Sequence, residues 1–123
     1  MKNQNKLTCA IDNLFKPEKM KNRAIVNRIS QTIHSKNPNA EAFLFGSRAR
    51  GDNRKDSDWD ILILIDDEKV TNEIEDDFRD GLYRIELDLG QAISTFIYPK
   101  EYWKTSLIYS PFYTNVLRDG IKL

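Results

Sequence analysis

The sequence predicts an α/β (α+β) fold: a small mixed β-sheet with flanking helices. Three observations carry this. Apolar residues recur at helical spacing in two long segments, and short apolar runs bounded by glycine or proline lie between and after them. A chain of 123 residues, 40% hydrophobic and 31% charged, has the balance of one globular domain with a modest core.

Residues 1–16 are polar and weakly patterned and read as a flexible lead-in, with at most a helical turn around Ile11 to Phe15. The domain proper is expected over residues 17–123. From Pro17, a favourable first-turn residue, a helix is predicted to about Ser35, because Ile25, Val26, Ile29 and Ile33 share a face. Asn37-Pro38-Asn39 stops it.

Glu41 to Phe45 reads as a short buried strand that enters a tight turn at Gly46. Trp59 to Ile65 is a second and stronger strand, apolar on both faces, so a central position in a sheet covered on both sides is expected. Asp66-Asp67 is read as opening the second helix. Its stripe is Val70, Ile74, Phe78, Leu82, Ile85 and Leu89, with Gly90 as the C-terminal stop. Ala92 to Tyr98 is the third strand, ended by Pro99, and short helices follow over Glu101 to Thr105 and Pro111 to Asp119, the last stopped at Gly120.

Nineteen basic and nineteen acidic residues cancel, so the molecule lacks the positive field expected of a protein that grips long nucleic acid. The charge is uneven: Met1 to Lys36 is mostly basic and Asp66 to Asp80 mostly acidic. One cysteine, Cys9, excludes an intramolecular disulfide framework and a cysteine-based zinc site. With no apolar leader and no bilayer-length apolar stretch, a cytoplasmic protein without membrane contact is expected.

The chemistry concentrates between Phe43 and Ile63. Asp58 and Asp60 are one residue apart, a spacing that puts both carboxylates on one face of a strand. Two like charges side by side are costly unless a cation lies between them, and Mg²⁺ suits one or two carboxylates with water and phosphate oxygens completing its shell. Gly46-Ser47 ends the preceding strand, where glycine allows close backbone approach and the turn's hydroxyl and amides can donate to phosphate. Arg48 and Arg50 bring guanidinium groups suited to phosphate to the same place. Each feature alone is ordinary turn chemistry; their order, strand, Gly-Ser turn, basic loop, Asp-x-Asp and buried strand, is what points to a nucleotide site.

Gly46-Ser47, ten intervening residues and Asp58-Trp59-Asp60 resemble the Gly-Ser-x10-Asp-x-Asp signature of the minimal nucleotidyltransferases of the DNA polymerase β superfamily. Arg48-Ala-Arg-Gly51, Ser57-Asp58 and the closing segment from Ser110 to Leu123 extend the resemblance to about residues 20–123. It implies a polymerase β palm-like fold and a Mg²⁺-dependent transfer, with two ions possible, of a nucleoside monophosphate from ATP or another nucleoside triphosphate to a protein or small-molecule acceptor. Asp58 and Asp60 would be catalytic and hold the metal, Gly46 and Ser47 would bind the β- and γ-phosphates, and Arg48 and Arg50 would assist there. The same resemblance implies a helical HEPN-domain partner, toward which the chain would act as antitoxin.

The superfamily's third carboxylate, on the strand after the second helix, has no counterpart in Ala92 to Tyr98, where Ser94 takes the place by register. Glu86 or Asp88 could supply it, but their direction is open at this level. The alternative function is therefore a nucleotide-binding antitoxin or regulator that acts by contact. Of the remaining conspicuous residues, His34 is expected to complement a helix C-terminus, Trp59 to point into the core, and the aromatic tail from Tyr98 to Tyr113 chiefly to pack, with a base pocket as the other possibility.

Overall fold

A computed structural model describes residues 17–123, with side chains from residue 22 onward; the lead-in, the turn near Ile11 and Cys9 lie outside the described residues. The elements run α1 (Pro17–Lys36), β1 (Glu41–Phe45), α2 (Ser47–Arg50), β2 (Trp59–Ile65), α3 (Asn72–Leu89), β3 (Ile93–Pro99), α4 (Lys100–Thr105), α5 (Pro111–Asp119) and β4 (Ile121–Lys122). The sheet is mixed, in the order β3-β2-β1-β4. β1 is antiparallel to β2 and to β4, while β2 and β3 are parallel, joined by a crossover through α3.

β2 is central and buried on both faces, as its continuous apolar run requires. Its odd-numbered residues Trp59, Ile61, Ile63 and Ile65 face one layer with Ala42 and Leu44 of β1. There they meet Ile25, Ile29 and Ile33 of α1 and Phe78, Leu82 and Ile85 of α3. Leu62 and Leu64 face the other layer, where Trp103 of α4 and Val116 of α5 cover them together with Phe43, Phe45 and Phe112. The aromatic tail thus packs: Phe112 lies edge-on to Phe45 and Trp103, at 5.2 and 5.4 Å between ring centroids.

One boundary differs from the sequence reading. Asp66-Asp67 does not open α3; Thr71 does, with extended backbone and its Oγ1 accepting the Ile74 N–H at 3.2 Å. Asp66 is instead held by Lys100 Nζ at 2.8 Å, and Val70 packs on the core from the loop. Glu73 and Glu75 place negative charge in the first turn, where the helix dipole favours it. Thr71→Ala is expected to cost about 1 kcal/mol, measurable by urea denaturation with an unchanged m-value. β4 is the other addition: Ile121 and Lys122 pair with Leu44 and Phe43, which closes the sheet beyond β1.

Candidate active site

The turn after β1 is set by Gly46. Its φ of 73° and ψ of −158° lie in a region essentially reserved for glycine. Space gives a second reason: a Cβ on Gly46 would collide with Asp60 Oδ2 and lie 3.3 Å from Asp60 Cγ. The backbone of the turn therefore touches the carboxylate that β2 presents opposite it, consistent with the pairing of Phe45 with Asp60. Gly46 C=O accepts the N–H groups of Ala49 and Arg50, at 3.1 Å each, and Gly51 closes the turn in the left-handed region by donating to Ser47 O. The amides of Ser47 and Arg48, in the first turn of α2, have no intrahelical acceptor and can serve an anion. Gly46→Ala is expected to destabilise the fold by about 1–3 kcal/mol from backbone strain, with displacement of Asp60 added; a denaturation midpoint equal to wild type would contradict this.

Asp58 and Asp60 lie on the same face of the sheet. Asp58 is exposed, Asp60 is half-buried, and Ser94 is the β3 residue opposite Asp60. Ser94 Oγ also donates to Asp58 Oδ2 at 3.3 Å. Partial burial, and after it the charge of Asp58, holds the Asp60 carboxyl above the usual carboxylate range, while Arg50 offsets part of the shift.

The two arginines are placed differently. Arg48 donates to Ser57 O from Nε and Nη2, at 3.2 and 2.9 Å, and from Nη2 to Lys55 O at 3.2 Å. Its guanidinium lies 4.5 Å from the centre of the Trp59 ring. This geometry ties down the loop that delivers Asp58. From the other side Gln91 accepts the Trp59 Nε1–H at 2.8 Å and donates to Lys55 O at 3.1 Å. Arg50 remains near Asp60 and is shared by Asp52 and by Asp119 at the end of α5. Gln91 and Asp119 have no local sequence signal, since both act across long chain separations.

Neither acid next to β3 fills the place of a third carboxylate. Glu86 Oε1 accepts the Ile93 N–H at 2.6 Å, and Asp88 pairs with Arg28 of α1. Among the described residues no group of three His, Cys, Asp or Glu converges to hold a metal. The set that does converge, two carboxylates and a hydroxyl beside a glycine cradle, fits a hard cation that leaves most of its shell to water and substrate oxygens. His34 is bonded within α1, its Nδ1 lying 2.9 Å from Ser30 O.

A family model described as a nucleotidyltransferase domain matches residues 26–112, which span α1 through the start of α5 and include every residue of this site except Asp119. The chain belongs to the nucleotidyltransferase-domain family. Two solved structures share the fold of this nucleotidyltransferase. A chain of the toxin-antitoxin MntA-HpeT mutant has a TM-score of 0.55 at 19% identity over 79% of this chain and 69% of its own. A chain of a toxin-antitoxin crystallised with AMP-PNP gives 0.54 at 18% identity over 78% and 69%. No curated protein matches the sequence.

Proposed function

We propose that this nucleotidyltransferase transfers AMP from ATP to a hydroxyl of a protein acceptor in the cytoplasm, with residues 17–123 as the whole catalytic domain. The observation that carries this reading is the Asp58–Asp60 pair, two like charges on one sheet face with Asp60 pressed against the backbone of Gly46. Asp58 and Asp60 would hold Mg²⁺, and the chemistry it would supply is neutralisation of charge at the α-phosphate. The Ser47 hydroxyl and the first-turn amides of α2 bind the β- and γ-phosphates, and Arg50 adds a positive charge beside them. The acceptor oxygen bonds to the α-phosphorus as the bond to the bridging oxygen breaks. Pyrophosphate leaves, and the hydroxyl proton passes to solvent. Arg48 acts as a positioning residue through the Lys55–Ser57 loop.

The toxin-antitoxin setting of both structural neighbours supports a toxin as the acceptor and partner; that it is a helical HEPN-domain protein is what the sequence resemblance implies. Incubation with ATP labelled at the α-phosphate tests transfer: label appears on a co-expressed partner in a Mg²⁺-dependent manner. Label retained from γ-labelled ATP instead would identify phosphoryl transfer and exclude this reading. Ser94 favours one second reading, a nucleotide-binding antitoxin that acts by contact. In that case ATP binds, no label moves, and the partner is still inhibited.

A further inference from the structure

Among the described residues β3 is an edge strand, and its outer side borders a groove of about 560 Å³ walled by α3. Trp59 N–H donates to Ala92 O at 2.9 Å, which turns the Ala92 carbonyl toward β2. Backbone groups alternate along a strand, so Ser94 and Phe96 also face β2, while Ile93, Thr95 and Ile97 direct their N–H and C=O groups outward. Glu86 Oε1 covers the first of these donors, at Ile93, and Pro99 ends the strand without one. Between these two ends the outward groups of Thr95 and Ile97 form a short ladder open to a further strand.

The groove's chemistry selects what enters it. Asp76, Asp80 and Glu86 line it with Arg79, and Arg79 is itself paired with Glu75 at 2.8 Å, so the wall is acidic. Ser94, whose hydroxyl contacts Asp58, also lines it. We infer that the groove between β3 and α3 is the docking site of the protein acceptor, which binds as an extended basic segment added to the β3 edge. This rests on the proposed transfer to a protein hydroxyl and specifies the acceptor.

Strand addition explains how one segment satisfies both requirements. Side chains of an added strand alternate between the two faces of the sheet. On one face lysine or arginine meets the acids of α3; on the other, a residue carrying the reactive hydroxyl projects beside Ser94, toward Asp58 and Asp60. Main-chain bonds to Thr95 and Ile97 supply affinity, and the alternation of basic and hydroxyl side chains supplies specificity.

The test measures fluorescence anisotropy of the full chain with a fluorescein-labelled peptide of alternating lysine and tyrosine, against one of alternating glutamate and tyrosine, without nucleotide. The lysine peptide is expected to bind at least about tenfold more tightly. The Asp76→Lys/Asp80→Lys double variant, both positions exposed, is expected to erase that preference and leave Mg²⁺–ATP binding in calorimetry unchanged. In wild type the Thr95 and Ile97 amide resonances shift and gain exchange protection when the lysine peptide is added. A preference that survives the double variant, or amides that do not respond, overturns the inference. So does self-association through β3 that persists in saturating peptide, which would assign the edge to a second copy. Because the peptide is titrated without nucleotide, loss of ATP binding and loss of peptide binding report separately on the nucleotide site and on the groove.

Discussion

Asp60→Asn is expected to lower the proposed AMP transfer by about 10³-fold and to raise the thermal midpoint of the metal-free protein. The first effect follows from charge. A carboxylate that holds the metal supports several kcal/mol of stabilisation at the reacting phosphate, and each 1.4 kcal/mol is tenfold in rate. The second follows from the raised pKa of Asp60, which burial, and then Asp58, pushes up. A carboxyl raised on folding gives its full stabilising contribution below the unfolded value and loses it as pH rises through the folded one. At neutral pH, without metal, the ionised group therefore opposes folding, and the neutral amide relieves that opposition. Mg²⁺–ATP should reverse the order of the two midpoints by stabilising wild type alone. The same shift predicts that Mg²⁺–ATP affinity begins to fall, as pH is lowered, at a higher pH than an ordinary aspartate would give.

Ser94→Asp is expected to raise the proposed transfer by about 10²-fold, at the lower end of what a positioned general base contributes. Ser94 stands opposite Asp60 and in contact with Asp58, so an acid there would complete a three-carboxylate set. The substitution carries its own cost, because a third negative charge crowds a pair already under repulsion. The metal-free variant should thus melt below wild type, and Mg²⁺ should restore it. Steady-state transfer with and without the partner measures the rate. An unchanged or lower rate with Mg²⁺-restored stability would show that the place of Ser94 is not where the acceptor proton is handled.

Much of this site was legible in the sequence because it is local. Gly46-Ser47 and Asp58-x-Asp60 act through strand ends separated by one loop, and the alternation of Trp59 to Ile65 already places the aspartates on one face and Trp59 on the other. The extent of α1, the stop at Gly90 and the helix from Pro111 to Asp119 follow from periodicity and caps in the same way. What escaped was competition between partners. Arg48 has the chemistry of a phosphate ligand, and its contacts with two carbonyls and the face of Trp59 were not legible locally. Asp66 has the chemistry of a helix cap, but Lys100 takes it, and Thr71 caps α3. The directions of Glu86 and Asp88 required the turn after α3, which points one at Ile93 N–H and the other at Arg28.

Isothermal titration of ATP into the protein, in Mg²⁺ and again in EDTA, tests most directly whether the paired aspartates and the Gly46 turn form one metal–triphosphate site. Saturable binding in Mg²⁺ that disappears in EDTA and in Asp58→Asn is the predicted result. ATP binding of equal strength in EDTA, or undiminished in Asp58→Asn, would contradict it.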